Sequence, residues 1–196
     1  MESIRLETIR LETSDGHTLA ADVAAPPGDT RGAVAVCHPH PAYGGDRFNT
    51  MVAALFEALP AAGFVTLRFD FRAGGGGEHA DLQAALDAVA ARTGGPLALA
   101  GYSFGAAVAL ATTDRRVTAI AAVAPPLTMM QVPVPTVPAL VLTPAHDQFC
   151  PPGQAGAIVA GWPTGEFDEI TGCDHFLVGH TAAIAQRVAE WLATLC

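Results

Sequence analysis

The stretch LALAGYSFGAAVALA, residues 97–111, constrains the fold more than any other in the chain. Its first half is an apolar run short enough for a buried strand. Its second half is a run of small apolar residues suited to a helix. Gly101, Ser103 and Gly105 stand at the junction. Two readings of that junction are open. In one, the serine merely caps the helix at a tight strand-to-helix turn. In the other, the turn presents one hydroxyl: the glycines permit close approach, and Oγ stands clear at the positive end of a helix. A serine hydroxyl is a poor nucleophile without a base, and the base needs an orienting acid. The rest of the chain must therefore decide.

The surrounding pattern alternates strands with helices. IRLETIRLET at 4–13 repeats a pentamer, but a five-residue shift exchanges the faces of a strand. We read it as one or two short strand segments ending at the turn Ser14-Asp15-Gly16. HTLAADVAAP (17–26) and GAVAVCHP (32–39) are strands. A helix over 47–63 has Asp46 as its N-cap and Gly63 as its stop. FVTLRFDF (64–71) is a strand, Gly74–Gly77 a flexible loop, and 79–93 a helix ended by Gly94. After the junction come strands VTAIAAVAPP (117–126) and PALVLTPAHD (138–147), a weak helix over 153–161, strand GEFDEITG (165–172) and a helix over 179–195. Such alternation predicts an α/β fold, a mostly parallel sheet with helices on both faces. Ligands in such sheets bind at the carboxyl ends of the strands. His38, His40, Ser103, Asp147 and His175 all fall there.

Composition narrows the class. The 196 residues, 51% hydrophobic and 15% charged, suit one compact domain over 1–196. The net charge of −9, with no basic cluster, argues against nucleic acid and anionic membrane surfaces as partners. MESIRLETIRLET has no apolar core of a secretion signal, and no 18-residue apolar run would span a membrane. Cys37, Cys150, Cys173 and Cys196 show no metal-ligand spacing, so free thiols in a cytoplasmic protein are expected. His38 and His40 have no third ligand nearby; we expect them to hold their loop by hydrogen bonds rather than bind a metal. No cofactor is expected, and the sequence sets no oligomeric state.

If Ser103 is a nucleophile, the order along the chain should be Ser, then acid, then His. Between 115 and 165 the acid is Asp147, just past a predicted strand. Asp174 neighbours the candidate base, and adjacent side chains on an extended chain point apart. The base is His175, in the loop between the last strand and last helix; His180 falls in the first turn of that helix, and His146 reads as a turn residue. One oxyanion donor should be the Phe104 N–H. A second should come from the loop HPHPAYGGD (38–46), where prolines cannot donate; Ala42 and Tyr43 are the candidates, with Tyr43 slightly favoured.

CHPHPAYGGD, LRFDFRAGGGGE, LAGYSFGAAVAL, PAHDQFCPP and GCDHFLVGH are similar, in the same order, to recurring blocks of one superfamily. Over residues 33–196 the chain resembles a short, lidless α/β-hydrolase of the esterase and dienelactone-hydrolase-like group. The resemblance implies a Ser103–Asp147–His175 triad. Two departures stand out: the loop after FDFR runs GGGGEH where that group usually has a serine, and the acid-bearing turn begins at Pro144 rather than Gly. Dienelactone hydrolases proper use a cysteine nucleophile; here it is serine.

The expectation is a serine hydrolase acting on a small carboxylic ester or thioester through an acyl-enzyme. Peptidase, acyltransferase or perhydrolase chemistry would use the same triad, and a binding protein could retain the fold. Four prolines over 126–138 forbid a long helix, so no lid is expected and the crossover helix there should be short or lost. Met129 and Met130 either line the site or, as we favour, pack under the loop.

Overall fold

The computed structural model describes residues 3–195. Its eight strands are β1 (Arg5–Glu12), β2 (Thr18–Ala25), β3 (Gly32–Cys37), β4 (Phe64–Phe69), β5 (Leu97–Tyr102), β6 (Val117–Val123), β7 (Ala139–His146) and β8 (Gly165–Asp174). Its helices are α1 (Thr50–Ala61), α2 (Glu78–Ala90), α3 (Phe104–Leu110), α4 (Pro152–Val159) and α5 (Thr181–Leu195). The strands form one sheet in the order β1-β2-β4-β3-β5-β6-β7-β8. From β4 onward every neighbour is parallel; β1 and β2 are antiparallel additions at one edge. The pentamer repeat lies in one unbroken strand, paired with β2 from Arg5↔Ala25 to Glu12↔Thr18.

Burial follows from this order. β3 and β5 are central and buried throughout, which is why GAVAVC and LALAGY lack polar alternation. One core lies between the sheet and α1 and α5, around Met51, Leu55, Val188 and Leu192. The other lies under α2, α3 and α4, around Leu82, Leu86, Leu110 and Val159. Among the described residues no helix is long and apolar enough to cross a membrane.

One local expectation is corrected. Helix α1 is capped by Asn49, whose Oδ1 accepts the Met51 N–H at 3.0 Å, and not by Asp46. Asp70 prevents the earlier start: its Oδ1 accepts the Arg47 N–H at 2.8 Å and it also pairs with the Arg47 guanidinium. Asp46 instead closes a turn by accepting the Phe48 N–H. Cys37, Cys150 and Cys173 are free thiols, as expected. Cys150 belongs to the core on one face and Cys173 to the core on the other. Cys196 lies outside the described residues.

The Gly-rich loop is ordered by a buried ion pair that the sequence did not advertise. Asp81 on α2 is fully buried and accepts from the Arg72 backbone N–H at 2.9 Å and from its guanidinium. Gly77 lies so close to that guanidinium that a Cβ would sit 2.1 Å from Arg72 Cζ. The connection from β6 to β7, residues 124–138, contains no helix.

Candidate active site

The junction after β5 is strained. Ser103 has φ 55° and ψ −119°, in the region that side chains rarely adopt, and its N–H is tied to the Val123 carbonyl at 2.9 Å. The flanking glycines are sterically required. A Cβ on Gly101 would lie 2.5 Å from the Gly105 oxygen, and one on Gly105 would lie 2.4 Å from the Cys37 oxygen. Helix α3 therefore starts hard against the ends of β5 and β3, with the Ser103 hydroxyl ahead of it.

Three polar side chains converge there. Ser103 Oγ is 2.9 Å from His175 Nε2, and His175 Nδ1 is 2.8 Å from Asp147 Oδ2. His175 and Asp147 are buried, at 5% and 3% exposure, so their contact is shielded from water. Asp147 Oδ1 accepts the N–H groups of Phe149 (2.8 Å) and Cys150 (3.1 Å), which fixes the carboxylate plane. Asp174 is turned away, accepting the Phe176 N–H, and His146 is exposed. His180 stands just before α5 rather than within it, with Nδ1 against the Val178 oxygen.

Tyr102 holds the loop that carries His175. Its hydroxyl donates to the His175 carbonyl at 2.7 Å. Burial, helped by the charges of Asp147 and Asp174, keeps that phenol well above its ordinary range, so it stays a donor. Nothing in GYSFG announces this role, because the partner is a backbone oxygen 73 residues away.

The loop after β3 is folded by its histidines. His38 Nε2 accepts the Phe71 N–H at 2.9 Å while Nδ1 donates to the Pro39 oxygen at 2.5 Å. Burial lowers its basicity and keeps it neutral, as those two bonds require. His40 takes both expected oxyanion donors: its Nδ1 accepts the Ala42 N–H at 3.1 Å and its carbonyl accepts the Tyr43 N–H at 3.0 Å. Ala42 and Tyr43 are thus not the free amides of this loop. The His40 and Phe104 N–H groups have no protein acceptor among the described residues, and the two rings pack 4.5 Å apart.

These groups open into a cleft of about 470 Å³. Met129, Met130 and Phe149 form one wall, so the methionines line the site rather than packing under their loop. Tyr43 is 90% exposed, Met129 69% and Phe176 59%, which leaves the cleft with an apolar, uncovered rim. Among the described residues no group of three His, Cys, Asp or Glu side chains is placed to hold a metal ion.

No family model matches the chain. An uncharacterized protein of Rickettsia prowazekii (strain Madrid E) is 27% identical over 188 residues, covering 82% of this chain and 78% of that protein. A solved structure from Coxiella burnetii, described as an alpha-beta serine hydrolase homologue, superposes with a TM-score of 0.84 at 29% identity, over 95% of this chain and 97% of the other. A Xanthomonas campestris protein, described as an α/β serine hydrolase without lid, superposes with a TM-score of 0.78 at 26% identity, over 95% of each chain. The chain is a lidless α/β-hydrolase. In this lidless α/β-hydrolase the 124–138 connection contains no helix to cover the cleft, which accounts for the open rim.

Proposed function

We propose that this α/β-hydrolase cleaves small carboxylic esters or thioesters through an acyl-enzyme formed on Ser103. The observation that carries the reading is the unbroken line Ser103 Oγ–His175–Asp147, with contacts of 2.9 and 2.8 Å, on a serine held at φ 55°.

Oγ attacks the substrate carbonyl carbon as its proton passes to His175 Nε2. Asp147 keeps the Nδ1 proton in place and stabilises the imidazolium. The carbonyl oxygen becomes an oxyanion that accepts from the N–H groups of Phe104 and, in place of Ala42 or Tyr43, His40. Collapse breaks the bond to the leaving group, which takes the proton from His175. Water repeats the sequence on the acyl-enzyme, returning the acid and free Ser103. One oxyanion donor is worth about 100- to 1000-fold in rate.

A fluorophosphonate probe and p-nitrophenyl butanoate test the reading together. Labelling confined to Ser103, with hydrolysis lost in the labelled protein, is the expected result. An unlabelled Ser103 in folded protein overturns it and favours a binding role for the cleft.

A further inference from the structure

The two sides of the cleft differ in chemistry. Ser103 follows β5, with β3 on one side of it and β6, β7 and β8 on the other. Apart from His175, the β6–β8 side supplies Pro126, Met129, Met130, Phe149 and Phe176, none with a polar side chain. The β3 side supplies His40, Tyr43 and Asn49.

Asn49 is held in one orientation. Its Oδ1 accepts the Met51 N–H at 3.0 Å, and a flipped amide would set its NH₂ against that N–H. Nδ2 therefore carries two donor hydrogens and has no protein acceptor among the described residues. His40 is likewise fixed: because Nδ1 accepts the Ala42 N–H, its proton is on Nε2. Both donors are neutral. None of the residues lining the cleft is an arginine, aspartate or glutamate, and nearby Arg47 is paired to Asp22 and Asp70. A charged group brought here would lose water without gaining a counter-charge. A neutral acceptor would meet two prepared donors.

We infer that Asn49 is a specificity-determining residue, and that the cleft takes an uncharged ester with one apolar arm and one arm bearing a neutral oxygen acceptor. This rests on the hydrolase reading above. The apolar arm lies on the Met129, Met130 and Phe149 wall; the acceptor meets Asn49 Nδ2, with His40 beside it. Helix capping alone does not require this side chain, since Asp or Ser caps as well as Asn.

That equivalence supplies the test. Asn49→Asp and Asn49→Ser keep the cap and remove the amide donor. The probes are 2-methoxyethyl methoxyacetate and butyl butanoate, which match in length and differ by an ether oxygen in each arm; hydrolysis is followed by titration of the released acid. The selectivity ratio, kcat/KM for the diether over kcat/KM for butyl butanoate, should fall about three- to tenfold in both variants, the size of one lost hydrogen bond. Thermal midpoints should stay at the wild-type value, and the fluorophosphonate should still label Ser103, which shows that the fold and the serine are intact. An unchanged ratio in both labelled variants overturns the inference while leaving the hydrolase reading intact. Failure of the wild type to label overturns the hydrolase reading, and this inference with it.

Discussion

The Tyr102 hydroxyl donates to the His175 carbonyl at 2.7 Å, so the strand that delivers Ser103 also fixes the loop that delivers His175. Ser103 follows Tyr102 directly, and His175 Nε2 reaches Ser103 Oγ at 2.9 Å. Removing the hydroxyl leaves a buried carbonyl unpaired, at a cost of about 1–3 kcal/mol, and frees the base loop to drift. Tyr102→Phe should lower kcat about tenfold or more with KM nearly unchanged, since small misplacements at a reacting centre cost rate. Steady-state kinetics beside urea denaturation check this; an equal rise in KM with unaltered kcat would assign Tyr102 to substrate packing instead.

Asp147→Asn should be more damaging than its size suggests. The Asn oxygen would take over the Phe149 and Cys150 N–H bonds, because only an acceptor fits there. The NH₂ then faces His175 Nδ1, which must become an acceptor and leave the proton on Nε2, where it cannot receive one from Ser103. We expect kcat to fall by about three to four orders of magnitude with near-normal substrate binding. Ser103→Ala and His175→Ala should each abolish turnover, and the double variant should be hardly worse than either. Asp174→Asn serves as the comparison and should be mild.

The glycines flanking Ser103 give a stability prediction. Gly105→Ala places a methyl 2.4 Å from the Cys37 carbonyl oxygen, a backbone atom that cannot swing aside. Overpacking of this kind costs about 1–3 kcal/mol or more. Urea midpoints should drop for Gly105→Ala and Gly101→Ala but barely move for Gly153→Ala, whose added methyl meets nothing.

Much of this site was legible because its chemistry is written in local pattern. GYSFG sits between a continuous apolar strand and a helix of small residues, and Asp147 is the one acid between 115 and 165. Chain order and loop position then pick out His175. What escaped were contacts between residues far apart in sequence. Asn49 reads as any polar residue inside a helical pattern until Asp70, 21 residues on, is seen to hold Arg47 outside the helix. The loop's prolines leave Ala42 and Tyr43 as candidate donors, but its turn does not: His40 folds back on both amides. That Cys150 and Cys173 enter different cores needs knowledge of which sheet face each thiol meets.

Acid stability should carry the mark of Asp114. Its carboxylate is lowered to about 2, chiefly by the Arg116 guanidinium that hydrogen-bonds both its oxygens. A folded-state value below the unfolded one stabilises the protein above the unfolded value, and that contribution disappears as pH falls through the folded one. Asp114→Asn should therefore be less stable than wild type at pH 7, with the gap closing between about pH 4 and pH 2. Denaturant midpoints at a series of pH values measure it; a gap that persists unchanged at the acid end would mean that packing, not charge, is what Asp114 provides.

Chain length of the acyl group tests the openness of the cleft. Residues 124–138 contain no helix, so nothing folds over Ser103 from the position where a cap would be inserted. The cleft holds about 470 Å³ and its rim is exposed at Tyr43, Met129 and Phe176. Each methylene taken out of water contributes about 0.8 kcal/mol, roughly a fourfold gain in kcat/KM, while it lies against the Met129, Met130 and Phe149 wall. Beyond the rim a longer chain returns to solvent and the gain ends. Across p-nitrophenyl esters from acetate to palmitate, kcat/KM should rise over the first few carbons, peak at about C2 to C6 and then fall, since the added methylenes favour micelles over the site. No jump should appear at the micellar limit of the substrate, because there is no cap to open. A maximum at C12 or longer would require the 124–138 connection to close over the chain, and would remove the open cleft as the basis of selectivity.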